Sequence, residues 1–151
     1  MADLVYLNGS LLPSAEARIA ALDYGFLYGY GLFETMRAYG GRVFRLGRHL
    51  DRLVSSAETL GITVDTPTLK DAIHETLSAN NLSSARIRLT VSAGEGDPAP
   101  DLASCARPTV LIVAGEYQPL PEDAYAAGYR AVTASLRRNH RSPLAGMKSL
   151  N

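Results

Sequence analysis

The chain has 151 residues, 15 basic against 15 acidic side chains, 46% hydrophobic residues and a single cysteine. That length suits about one domain with a sizeable core. Lone Cys105 cannot form an internal disulfide, no apolar stretch approaches the roughly 18 residues of a membrane span, and Met1-Ala2-Asp3 does not open a secretory signal, so the composition points to a cytoplasmic protein.

Leu4-Val5-Tyr6-Leu7 reads as a short strand closed by a turn at Asn8-Gly9. The stretch from Leu22 to Gly31 is rich in glycine and tyrosine. Core packing accounts for the aromatics, and Gly25, Gly29 and Gly31 suggest unusual backbone or close approach to another segment. From Leu32 to Tyr39 the chain alternates, with Leu32, Glu34, Met36 and Ala38 on one side and Phe33, Thr35, Arg37 and Tyr39 on the other. Gly40-Gly41 forms a tight turn and Arg42-Val43-Phe44 the returning strand.

Leu46, Leu50, Leu53, Ala57 and Leu60 recur at helical spacing, and Gly61 ends that helix. Thr66-Pro67 reads as an N-cap and a proline at the first helical position, with Leu69, Ile73, Thr76 and Leu77 as the inner face. Arg86 to Ala93 alternates, with Arg86 and Arg88 on one face. Thr109 to Ala114 is a continuous apolar run that suits a central strand. Glu116 to Ala127 reads as a linker, and Ala131 to Leu136 as a last strand. Strands, two helices, then strands make an α+β layered fold. Residues 1–118 form its domain, 119–128 a linker, and 129–151 the start of a second domain.

The charge is unevenly placed. The last acidic residues are Glu122 and Asp123, and Arg130, Arg137, Arg138, His140, Arg141 and Lys148 follow. A basic tail suits an anion. It carries no interleaved aromatics, which argues against nucleic acid. His49 and His74 are too scattered for a metal site. The only lysines are Lys70 and Lys148. Lys148 lies among small and apolar neighbours, the setting that favours a deprotonated nucleophilic amine, although lone lysines are usually solvated. Arg52 borders the leucine stripe of its helix. It is either a solvated charge paired with Asp51 or Glu58 or a fork for phosphate, and its place outside the stripe implies that the fold survives its removal.

Three segments in order carry a family resemblance. Tyr28-Gly29-Tyr30-Gly31-Leu32-Phe33-Glu34-Thr35-Met36-Arg37 resembles the YGxGLFETMR signature of class IV aminotransferases, the fold-type IV pyridoxal phosphate enzymes. Arg48-His49-Leu50-Asp51-Arg52-Leu53 resembles their HxxRL helix, and Leu144-Ala145-Gly146-Met147-Lys148-Ser149-Leu150-Asn151 their cofactor-lysine motif. The resemblance implies the N-terminal two-layer α/β sandwich of such an enzyme, with only the start of the second domain present. It implies that Lys148 carries pyridoxal 5'-phosphate and shuttles a proton, and that Arg52 holds the phosphate. Tyr28 and Phe33 would line the substrate pocket, with Arg88 and Arg138 near the substrate carboxylate. It also implies a homodimer and small amino-acid and 2-oxo-acid substrates; the tyrosine-rich stretch Tyr24 to Phe33 is the expected interface, and the residues point to no metal, nucleic-acid or membrane partner.

The family continues for about as much chain again beyond its lysine, including the carboxylate that faces the pyridine nitrogen. Residues 1–151 alone are therefore expected to be inactive. Transamination of a branched-chain or D-amino acid is the expected activity. The alternatives are 4-amino-4-deoxychorismate lyase of folate synthesis, whose branch the stretch before Lys148 also resembles, and a non-catalytic anion- or nucleic-acid-binding module.

Overall fold

The alternating stretch in the middle of the sequence is the strand around which the other elements are arranged. β3 (Gly31–Tyr39) buries Leu32, Glu34, Met36 and Ala38 and turns Phe33, Thr35 and Arg37 to the other face, as a period of two requires. In the computed structural model, which describes residues 3–137 and 139–151, β3 belongs to one six-stranded sheet. All its pairings are antiparallel. With β1 (Leu4–Leu7), β2 (Ser10–Pro13), β4 (Arg42–Val43), β5 (Ala85–Ser92) and β6 (Thr109–Glu116), the order is β2-β1-β6-β5-β3-β4. β6 is interior, as its apolar run suggested. β2 was not foreseen: it is short and ends in Pro13 at the sheet edge, where a missing N–H costs no ladder bond.

α2 (Leu46–Leu60) and α3 (Thr66–Ala79) form the second layer. Leu50, Leu53 and Ala57 from α2 and Leu69, Ala72, Ile73 and Leu77 from α3 meet Met36, Ala38, Ile87, Leu89, Ile112 and Ala114 of the sheet. Each large side chain buried there contributes about 1.5–3 kcal/mol. α2 begins and ends where its stripe does, with Gly61 left-handed at its C-cap. The cap of α3 is Asp65, whose carboxylate accepts from the Thr68 amide, and not the expected Thr66. A short α1 (Tyr24–Tyr28) precedes β3, capped by Asp23 and closed by left-handed Gly29 at φ 64°.

After β6 the chain leaves the sheet. α4 (Glu122–Ala127) occupies the expected linker and buries no residue. The expected strand from Ala131 to Leu136 does not form: Val132 is 94% and Leu136 88% exposed. Strand-forming residues need a ladder partner, and among the described residues no strand pairs with this segment.

The chain then returns through a 3-10 turn at Pro143–Gly146. The Phe33 amide donates to the Lys148 carbonyl and the Leu150 amide to the Gly31 carbonyl, each at 2.9 Å, with Ser149 opposite Leu32. This short ladder uses the start of the β3 edge whose far end pairs with β4. It needs Gly31, because a Cβ there would lie 2.6 Å from the Val91 carbonyl oxygen and 2.7 Å from Leu150 Cδ1. Leu150 can rotate away, whereas the β5 backbone cannot. Gly31→Ala is therefore expected to destabilise the protein by about 1–3 kcal/mol and to loosen residues 148–150. Denaturant melts with amide exchange at Leu150 check this, and an unchanged melt with a protected Leu150 amide contradicts it.

Candidate active site

The site is assembled on two successive residues of β3, Phe33 and Glu34, which face opposite sides of the strand. On the Phe33 side, the Lys148 amine lies 4.7 Å from the centre of the Phe33 ring. The Arg88 guanidinium carbon lies 4.1 Å from the same centre. Arg88 comes from β5, opposite Thr35, on the face turned away from the helices. One aromatic ring thus serves two cations. Lys148 is half-buried, and among the described residues its amine makes no hydrogen bond or ion pair.

On the other side, Glu34 is buried in the helix-facing layer at 1% exposure. A charge there requires close partners, and α2 supplies two. Arg52 Nε donates to Glu34 Oε1 and Arg52 Nη2 to Oε2, both at 2.6 Å. His49 Nδ1 lies 2.8 Å from Oε2 and is the donor, since an ionised carboxylate only accepts. Burial pushes the Glu34 carboxyl up, but the hydrogen bonds from Arg52 and His49 and their Coulombic attraction outweigh it and hold the group below its ordinary value. The same pairing with Glu34 holds Arg52 above its ordinary value.

Arg52 is only half covered, with 48% of its side chain exposed. Its Nε–Nη2 edge is occupied by Glu34, while Nη1 has no partner among the described residues. A lysine amine and an arginine terminus with uncommitted donors suit a ligand bearing a carbonyl and a phosphate. Taken singly, each residue suits one end of pyridoxal phosphate, Lys148 the carbonyl and Arg52 the phosphate.

The other expected site residues are distributed differently. Tyr28 donates to the Pro98 carbonyl at 3.0 Å and stacks edge-on against Tyr24; it touches neither cation. Left-handed Gly29, beside it, brings that end of α1 within 3.4 Å of Asn151 Cα, measured from the Cβ a side chain would add. Arg138 lies outside the described residues. A cavity of about 990 Å³ is lined by Tyr6, Arg18, Asp65, Glu95 and Arg107 among others, and contains none of the expected site residues. No group of three or more potential metal ligands occurs among the described residues.

Glu34 and His49 were missed as site residues. Glu34 carried a signal, since a carboxylate on the apolar parity of a strand must be either neutralised or exposed. The carboxylate partner of Arg52 is this residue, 18 positions away, and not its helix neighbours Asp51 or Glu58. Arg37 was also passed over. Its guanidinium carbon lies 3.4 Å from the centre of the Tyr117 ring, its Nη2 donates to Ser84, and its Nη1 is buried with no partner among the described residues.

The family model described as amino-transferase class IV matches residues 31–151. A putative branched-chain-amino-acid aminotransferase of Methanocaldococcus jannaschii is 44% identical over 139 residues, 89% of this chain and 46% of the relative. The solved 4-amino-4-deoxychorismate lyase of Pseudomonas aeruginosa superposes with a TM-score of 0.82 at 30% identity, over 98% of this chain and 53% of that one. The T.th. branched-chain amino acid aminotransferase solved with pyridoxamine 5'-phosphate gives a TM-score of 0.71 at 30% identity, over 82% and 43%. The chain spans about half the length of the curated relatives it matches.

The buried pair has a consequence that the helix pattern around Arg52 does not reveal: Arg52→Ala strips a buried carboxylate of its bidentate partner. We expect a loss of about 1.5–3 kcal/mol near neutral pH in place of a silent substitution. Because the folded carboxyl is depressed, its contribution is complete above the unfolded value of about 4.3 and is lost as pH falls through the folded value. The stability gap between wild type and Glu34→Gln should therefore be full near neutral pH and narrow as pH falls below about 4.3 toward the depressed folded value. Denaturant melts across that range test both statements, and a gap independent of pH contradicts the second.

Proposed function

As the chain belongs to the class IV amino-transferase family, we propose that it forms the part of a pyridoxal phosphate enzyme that carries the cofactor lysine, Lys148, and one phosphate ligand, Arg52. The observation that carries the proposal is the arrangement on β3. An amine with no hydrogen-bond partner among the described residues lies on Phe33, and a half-exposed arginine terminus is anchored on Glu34. Bound there, pyridoxal phosphate would supply the electron sink for chemistry at a substrate α-carbon.

The chain's own residues would divide the remaining work. Lys148 Nζ would hold the cofactor and move a proton, kept in position by the backbone bonds of its segment to Gly31 and Phe33. Arg52 would anchor the phosphate through Nη1. Phe33 would form one wall and exclude water, and Arg88, on the same ring, would attract a substrate carboxylate. We assign Tyr28 to the rim and Arg138 to the carboxylate side on the family resemblance. Residues 129–151 would open the second domain, whose further ligands complete the site.

The reaction is amino-group transfer between an amino acid and a 2-oxo acid, in a cytoplasmic homodimer. Phe26, Leu27 and Tyr28 support the dimer, being respectively 77%, 40% and 41% exposed on one short helix. No helix among the described residues is long and apolar enough to cross a membrane. The second reading, aminodeoxychorismate lyase, is favoured by the superposition over 98% of the chain with such a lyase. Release of 4-aminobenzoate without any 2-oxo acid would select the lyase, and amination of a 2-oxo acid the transferase.

Borohydride reduction of the intact protein with its cofactor, followed by peptide mass spectrometry, is expected to place the pyridoxyl label on Lys148. A label on Lys70, or none, contradicts the proposal. Sedimentation at micromolar concentration is expected to show a dimer that Phe26→Ser weakens, and a monomeric intact protein excludes the assembly.

A further inference from the structure

A buried glutamate beside a proposed phosphate site needs an explanation. Coulomb's law makes Glu34 a liability there, because a second negative charge nearby should weaken the hold of Arg52 on an anion. Burial adds to the cost. The hydrogen-bond geometry supplies an offsetting benefit. Both carboxylate oxygens are engaged by the Nε–Nη2 edge of Arg52 at 2.6 Å. That grip fixes the guanidinium plane and directs Nη1 away from Glu34, where the side chain is half exposed. His49, at 2.8 Å, holds Oε2 from the helix, so the carboxylate cannot swing with the arginine.

We infer that Glu34 is the positioning residue of the phosphate contact: its ion pair, steadied by His49, locks Arg52 in the one orientation that presents Nη1 to a phosphate. The inference rests on the reading of Arg52 as the phosphate ligand and adds what makes that arginine competent. An unrestrained arginine loses rotamer freedom when it binds an anion, and an arginine already held in a fork does not. Residues from two separate motifs are thereby joined into one device, Glu34 from β3 and His49 and Arg52 from α2.

The positioning account and plain electrostatics predict opposite signs, which makes the test decisive. In the intact protein, dissociation constants are measured for pyridoxal 5'-phosphate and for pyridoxal by absorbance titration. Their ratio isolates the phosphate contact without requiring turnover. Arg52→Ala should collapse the ratio; if it does not, Arg52 is not the phosphate ligand and the reading beneath this inference fails. With that control satisfied, Glu34→Gln should lower the phosphate advantage about tenfold, and His49→Ala about threefold. Glu34→Gln added to Arg52→Ala should change nothing further. A ratio that is unchanged or increased in Glu34→Gln overturns the inference while leaving the phosphate reading intact. Thermal melts accompany each variant. If Glu34→Gln fails to fold, His49→Ala decides alone, since it loosens the carboxylate without touching the ion pair, and an unchanged ratio there overturns the inference equally.

Discussion

Two backbone hydrogen bonds, from Phe33 to Lys148 and from Leu150 to Gly31, bring the last residues of the chain back to the start of β3. Without them Lys148 would be one more residue of a largely exposed tail. With them its amine is set on the Phe33 ring, in line with a strand whose other face is fixed by the helical layer. Gly31 permits close approach of β5 and of Leu150 alike, since a Cβ there would meet the Val91 carbonyl and the Leu150 side chain. β4 occupies the other end of the same edge, so the edge is shared between a hairpin and the lysine segment.

The second constraint is a charge in the wrong layer. Glu34 occupies an apolar position between Leu32 and Met36, where a leucine would pack with less difficulty. Removing one partner of such a pair is costly, while replacing the whole by apolar residues is often neutral, so stability alone gives weak grounds for keeping it. What the pair does provide is a guanidinium with one edge committed to Glu34 and Nη1 free among the described residues, anchored on the residue next to Phe33, against which Lys148 lies. Position and chemistry meet on two adjacent residues of a rigid strand, which holds a site more firmly than a loop does.

Much of the fold was legible because its signals are local. The alternation from Leu32 to Tyr39, the leucine stripe from Leu46 to Leu60 stopped by Gly61, and the apolar run of β6 each became the expected element. What failed depended on non-local or one-residue detail. Ala131 to Leu136 has strand-like residues but pairs with no strand among the described residues. β2 is too short and ends in proline, and Asp65 won the cap from Thr66 because its carboxylate reaches the Thr68 amide. In the site, Lys148 and Arg52 could be singled out by scarcity and by motif, and Gly31 by an expected close approach. The Glu34 pair could not be read in the same way, since helix spacing offers Asp51 and Glu58 as partners and only the sandwich brings residue 34 beneath residue 52.

The most direct test of a shared strand edge is a crystal structure of the intact protein reconstituted with pyridoxal 5'-phosphate. The account predicts cofactor density joined to Lys148 Nζ and a phosphate within hydrogen-bond distance of Arg52 Nη1, while Nε and Nη2 remain on Glu34. A cofactor joined elsewhere, or a phosphate that leaves Nη1 in solvent or draws Arg52 off Glu34, would contradict it.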